Sequence, residues 1–232
     1  MQLARQRVRD SFERAAASYD DAAVLQRQVC DSLLARFFVP AAPASILDAG
    51  CGTGYGTRLL RARWPGAMFV AVDFAQAMLA QARPDADFCL AADIETLPCA
   101  DASFSVWWSN LTVQWCDARR VFHETWRVLR PGGQVALSTL GPATFAELRA
   151  AFSGVDRHRH TLSFSEPAAV EQALVGSGFS DVCLYRETMR LHYADLKTLL
   201  RAVKDIGANS VGEGARSGLL GRAAWQRVQA AY

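Results

Sequence analysis

Lysine is almost missing from this chain. Only Lys197 and Lys204 occur among the 25 Lys and Arg residues, against 23 Asp and Glu, for a formal net charge of +2 over 232 residues. So small an imbalance gives no global field of the kind that draws nucleic acid or an anionic membrane, and neither is expected as a partner. The arginine excess reads as a composition bias on a solvated surface. No C-x-x-C pair links the six cysteines, several of which sit in apolar runs such as DFCLAAD. A disulfide scaffold is not expected, and the cysteines suit a reduced cytoplasm. No stretch reaches the ~18 apolar residues of a membrane span, and MQLARQRVRDSFERAAASYD lacks the apolar core of a secretory leader. His158 and His160 have no Cys or acidic third ligand at a standard spacing, so no metal site is expected.

What the chain does have is apolar content of 51% and a charged fraction of 21%, enough for one well-buried domain. Apolar residues recur every three to four positions from Asp10 to Phe38, with a break expected near Ser18 to Asp21, and VPAAPAS closes the segment. Short apolar strands then alternate with amphipathic helices: SILDAG, helix 54–63, MFVAVDF, helix 75–83, ADFCLAAD, FSVWWSNL, helix 117–129 and GGQVALSTL. This rhythm builds an α/β, Rossmann-like fold, a mostly parallel sheet with helices on both faces. An N-terminal helical cap over 1–40 and a main domain over 41–232 are expected. Further on, GPATFAELRAAFSGVD and 167–176 read as helices and VCLYRETMRLHY as a long strand. DLKTLLRAVKDIGANSV reads as a helix, and EGARSGLLGRAAWQRVQAAY as a glycine-bearing loop and a last helix.

The stretch SILDAGCGTGYGTRLL concentrates four glycines, at 50, 52, 54 and 56, between the first strand and a helix. Absent side chains let a ligand approach the main chain, and the tip of the first strand of such a sheet is where nucleotides bind. The dinucleotide pattern G-x-G-x-x-G/A fails, because Tyr55, Thr57 and Leu59 fall where its third small residue belongs. Instead, acidic residues follow three successive strands: Asp48, Asp73 and Asp93. A carboxylate at the second strand tip accepts from both hydroxyls of a ribose and repels a phosphate there. Asp93 with Ile94 suits an adenine amino group and ring, and Asp48 an amino group or positive centre. An adenosine cofactor with a cation and no phosphate, S-adenosylmethionine, meets all three.

With SNLTVQW at 109–115 and VLRPGGQVALST at 128–139, these motifs resemble the class I S-adenosylmethionine-dependent methyltransferases. FERAAASYDDAAVLQRQV, the pair DIETLP and SNLTVQWC, and LKTLLRAVKDIGAN extend the similarity to the malonyl-acyl-carrier-protein O-methyltransferase family of biotin synthesis. The resemblance spans about Ser11 to Tyr232. It implies methyl transfer to the free carboxylate of malonyl-acyl-carrier protein or malonyl-CoA, leaving S-adenosylhomocysteine. A ring or small-molecule acceptor such as a quinone precursor remains the alternative. Family members continue with a last strand that completes the sheet, whereas this sequence stops at QAAY. The implied cofactor residues are Asp48, Gly50, Cys51, Gly52, Asp73, Phe74, Asp93, Ile94, Asn110 and Leu111. Tyr19, Gln114, Trp115 and Lys204 are candidates for the substrate side: Tyr19 as a closing aromatic or plain core, Trp115 as substrate wall or core, Lys204 as a carboxylate or phosphate contact or a solvated lysine. A malonyl carboxylate is ionised at neutral pH, so no general base is needed and the catalytic residue stays unassigned. The segment RHRH with Arg186, Arg190, Arg201, Arg216 and Arg222 offers a basic face to an acidic carrier protein.

Overall fold

The computed structural model describes residues 2–208, 218 and 220–232. Two helices, α1 (Gln2–Ala22) and α2 (Val24–Arg36), lead into β1 (Ser45–Ala49), α3 (Tyr55–Arg63), β2 (Met68–Asp73), α4 (Gln76–Ala82) and β3 (Phe88–Ala91). Then come β4 (Phe104–Asn110), α5 (Ala118–Val128), β5 (Leu129–Ser138), α6 (Ala146–Ser153), α7 (Pro167–Gly176), α8 (Leu196–Asp205) and α9 (Arg222–Ala231). The five strands pair in parallel in the order β3-β2-β1-β4-β5. The order reverses at β1, whose neighbours are β2 and β4, so the crevice beyond the carboxyl tip of β1 is the switch point where ligands bind in such sheets.

β1 is buried at every position, and β2 and β4 nearly so, as parallel strands covered on both faces must be. One side of the sheet packs Leu47, Ala49, Val70, Val72 and Trp107 against Val121, Phe122 and Val128 of α5 and Val170 and Leu174 of α7. The other packs Ile46, Phe69, Val106 and Trp108 against Cys30 of α2 and Leu60 of α3. A smaller core, Leu148, Ala151 and Phe152 of α6 with Leu196 and Leu199 of α8 and Val228 of α9, forms separately.

Three expectations about elements are corrected. The break between the first two helices falls at Ala23 rather than within 18–21: Ala23 has ψ 42° yet its amide still donates to Tyr19 O at 2.8 Å, so the chain kinks without unwinding. The helix expected over 141–156 is confined to α6, because Pro142 precedes it and Phe145 stands at φ 59°, in the left-handed region. No strand forms over 182–193, where Tyr185 is 72% exposed. That segment lies beside α2, where Ser32 donates to Glu187 at 2.6 Å and the Arg36 guanidinium sits 6.0 Å from the Tyr185 ring centre. An alternating sequence becomes a strand only where a ladder partner is in reach, and here the neighbour is a helix. β5 is consequently the edge of the sheet among the described residues. The loop expected over 213–221 and Arg216 lie largely or wholly outside the described residues.

Candidate active site

A cavity of about 740 Å³, counting its open mouth, lies at the carboxyl tips of β1, β2, β3 and β4 beneath α1. Ten of the expected residues line it: Tyr19, Gly50, Gly52, Asp73, Phe74, Asp93, Ile94, Asn110, Leu111 and Trp115.

Asp73 forms its floor. The carboxylate accepts from the Gly52 amide at 3.0 Å and the Ala75 amide at 2.9 Å, tying the glycine turn to the end of β2. Burial pushes its carboxyl up to about 6, against the opposing pull of those amide donors. The glycines divide the work of the turn. A Cβ on Gly50 would lie 2.3 Å from Thr112, and one on Gly54 would lie 2.8 Å from the Ala82 backbone, so these two allow packing against the turn after β4 and against α4. A Cβ on Gly52 meets nothing nearer than Tyr19 Cε1 at 4.0 Å; its bare face belongs to the cavity. A buried carboxylate next to an open, side-chain-free turn fits a ribose diol lying across Gly52, and Phe74, Met78, Ile94 and Leu111 supply the apolar walls an adenine needs.

Four expected residues are placed elsewhere. Asp48 points to the opposite face of β1, toward Gly56, Cys30 and Trp108, and accepts from the Thr57 hydroxyl at 2.6 Å; burial pushes its carboxyl up to about 7. The side-chain period of two sends it away from the crevice although the backbone beside it lines the turn. Cys51 packs with Ala71, Leu79 and Ala82, its thiol raised well above the ordinary range by burial. Gln114 is spent locally, donating to Leu111 O at 2.7 Å and accepting from Thr139 at 3.3 Å. Lys204 is exposed on α8, off the cavity. His160 is paired with Asp156 at 2.9 Å and stacked on Phe152, a packing role. Among the described residues no cluster of three or more metal-ligating groups occurs, and no helix is long and apolar enough to cross a membrane.

Of the α1 wall, the sequence singles out Tyr19 alone. Arg5, Val8 and Phe12 line the cavity from above, with Phe12 edge-on to Trp115 at 5.6 Å. Four residues of the helix strap it down. Glu13 accepts from the Gln76 and Ala77 amides at 2.6 and 2.9 Å and so caps α4. Gln81 donates to Ala16 O at 2.6 Å, and Thr53 to Asp20 at 2.5 Å. Arg5 bridges Asp93 at 2.7 Å and the buried Glu95. Of the remaining missed residues, Ala92, Thr112 and Cys116 are wall positions next to expected ones, and Met78 lies in α4 four residues after Phe74. The signal for α1 was present in the spacing Arg5, Val8, Phe12 and Tyr19, one face of a helix, but nothing in the sequence says which core that face covers.

Neither Tyr19 nor Cys116 ionises near neutral pH. Burial, with the Asp73 charge second, holds the phenol above its ordinary value, and burial pushes the thiol up to about 12. Neither serves as base or thiolate nucleophile.

Residues 47–137 match the family described as Methyltransferase domain. Among solved structures, a putative methyltransferase in complex with the Trm112 activator of Haloferax volcanii superposes with a TM-score of 0.58 at 22% identity, covering 72% of this chain and 75% of that one. A possible histamine N-methyltransferase of Thermotoga maritima superposes with a TM-score of 0.58 at 19% identity, over 75% and 82%. At such identities these neighbours share the fold. Closer in sequence is the malonyl-[acyl-carrier protein] O-methyltransferase of Dechloromonas aromatica, 49% identical over 226 residues, 97% of this chain and 85% of that one. Its counterpart in Laribacter hongkongensis is 44% identical over 241 residues, 97% and 81%. Identity of that order across almost the whole length, joined to a methyltransferase fold, means that the chain belongs to the malonyl-acyl-carrier-protein O-methyltransferase family.

Proposed function

We propose that the protein transfers a methyl group from S-adenosylmethionine to the free carboxylate of a malonyl thioester carried on acyl-carrier protein, an early step of biotin synthesis. The observation that carries the reading is the pairing of buried Asp73 with the bare face of Gly52 at the switch point of the sheet. Asp73 would accept from the ribose hydroxyls, Phe74, Ile94 and Leu111 would hold the adenine, and Asp93 would take its amino group alongside Arg5. S-adenosylmethionine supplies an electrophilic methyl on a positively charged sulfur; the carboxylate oxygen forms the new C–O bond as the S–C bond breaks and its electron pair returns to sulfur.

The chain's own part is alignment and desolvation. The malonyl carboxylate arrives ionised, so no proton has to move. Phe12, Tyr19 and Trp115 would shield the reacting oxygen from the water that stabilises its charge, and α1 closes the space above. The reaction asks for no base, which leaves the Asp73 carboxylate, tied to the Gly52 and Ala75 amides, free to bind. Incubation with malonyl-acyl-carrier protein and methyl-labelled S-adenosylmethionine should give an alkali-labile methyl ester. Labelling of a quinol precursor but never of a malonyl thioester would overturn the reading in favour of a small-molecule acceptor.

A further inference from the structure

Both lysines of the chain lie on α8, and they lie on the same face. Lys197, Arg201 and Lys204 follow one another at intervals of four and three residues, so the helix aligns three cations along about 10 Å of one side. All three are exposed, and the opposite side of the helix is spent on Leu196 and Leu199, buried against α6 and α9. None of the three forms an ion pair among the described residues, although the Lys197 charge adds to the Thr198 hydroxyl and amide that chiefly hold the Asp195 carboxyl below its ordinary value.

The end of α8 is fixed against α1. Ser18 donates to Asp205 O at 3.1 Å, and Gly207, at φ +73°, brings the backbone so close that a Cβ there would lie 3.0 Å from Ser11 O and 3.2 Å from Phe12 Cα. Phe12 is the residue that turns inward to the cavity. On α1, Arg7 and Arg14 share the helical stripe of Ser11 and Ser18, the stripe that meets α8, and neither forms an ion pair among the described residues. Lys204, next to Asp205, and Arg14, between Ser11 and Ser18 on the α1 stripe, thus flank the junction of α8 with the helix that roofs the active site.

Resting on the reading of the substrate given above, we propose that this α8–α1 face, with Lys197 and Arg201 at its centre, docks the acidic surface of the carrier protein and so presents the malonyl arm beside α1. Charge complementarity selects this occupant. The cations are few and confined to one face of a nearly neutral protein, which suits an acidic helix better than the phosphate lattice of a nucleic acid.

The test compares the wild type with Lys197→Glu/Arg201→Glu, two positions outside the cavity. Anisotropy of labelled malonyl-carrier protein, read with S-adenosylhomocysteine present so that nothing turns over, should show binding at least ~10-fold weaker in the variant. Wild-type binding should weaken between about 0.05 and 0.3 M salt, as exposed charge pairs do, and that of the variant should barely respond. Turnover of malonyl-N-acetylcysteamine, which has no protein surface, should be unchanged, and Lys197→Arg/Arg201→Lys should bind as the wild type does. Equal carrier affinity in wild type and charge-reversed variant overturns the proposal. So does equal impairment toward the small thioester, which would make the face a structural support of α1. Carrier binding of the expected kind without methyl transfer to any malonyl thioester would instead remove the proposed reaction and leave the docking face standing.

Discussion

Asp48 and Asp73 end adjacent strands and are both buried, yet they serve different ends. Asp73 faces the crevice and fixes the Gly52 amide, whereas Asp48 faces α3 and fixes Thr57. Both residue types and both positions were legible in the sequence, but the direction of Asp48 was not, because the face of β1 to which it belongs depends on which helices cover that face. Burial, only partly offset by the Thr57 hydroxyl and amide, pushes the Asp48 carboxyl up to about 7, so its charged form is less favourable in the folded protein than in the unfolded one. The folded state therefore binds the extra proton between about pH 4 and 7, and this group's contribution to stability falls as pH rises through that window and is least favourable above it. Asp48→Asn, which keeps an acceptor for Thr57, is expected to raise the melting temperature relative to wild type at pH 8 by several degrees, with the difference shrinking toward zero near pH 4 in thermal unfolding followed by circular dichroism. A difference independent of pH would contradict the assignment.

At the scale of elements, the parallel core was readable because continuous apolar runs, glycine turns and amphipathic helices agree with one another from Ser45 to Ser138. The region from 139 onward was less so. VCLYRETMRLHY alternates as a strand would but has a helix for a neighbour, and α1 is a roof whose role is set by distant contacts. Those contacts differ in weight. The half-exposed Arg5–Asp93 pair contributes at most ~1 kcal/mol. The bond from Arg5 to Glu95 counts for more, since the Glu95 side chain is fully buried and otherwise takes only the Asp117 amide at 2.8 Å as a hydrogen-bond donor. Arg5→Ala is expected to loosen the first turns of α1, destabilising the protein by about 1–3 kcal/mol because the buried Glu95 carboxylate is left with the Asp117 amide and the Arg120 guanidinium 3.9 Å away. Amide hydrogen exchange should accelerate in α1 before it does in β1 or β4. Uniform exchange across the chain would show that α1 is held by its apolar face alone.

The whole molecule places a ligand crevice at the one point where strand order reverses, roofs it with an N-terminal helix, and leaves the outer side of that roof joined to a cationic helix. The resemblance in SILDAGCGTG and SNLTVQW located the crevice from sequence. The roof and the cationic face needed coordinates, because the first depends on Glu13 and Ala16 meeting α4 and the second on Gly207 meeting Ser11 and Phe12 across nearly the full length of the chain. All of this presumes that the crevice holds an adenosyl cofactor through Asp73. Calorimetric titration of S-adenosylhomocysteine into wild type and Asp73→Asn at pH 8 tests it most directly. The account predicts one-to-one binding to the wild type and affinity at least ~10-fold lower in the variant, the loss of a charge-assisted ribose contact. No binding to the wild type, or equal affinity in both proteins, would contradict it.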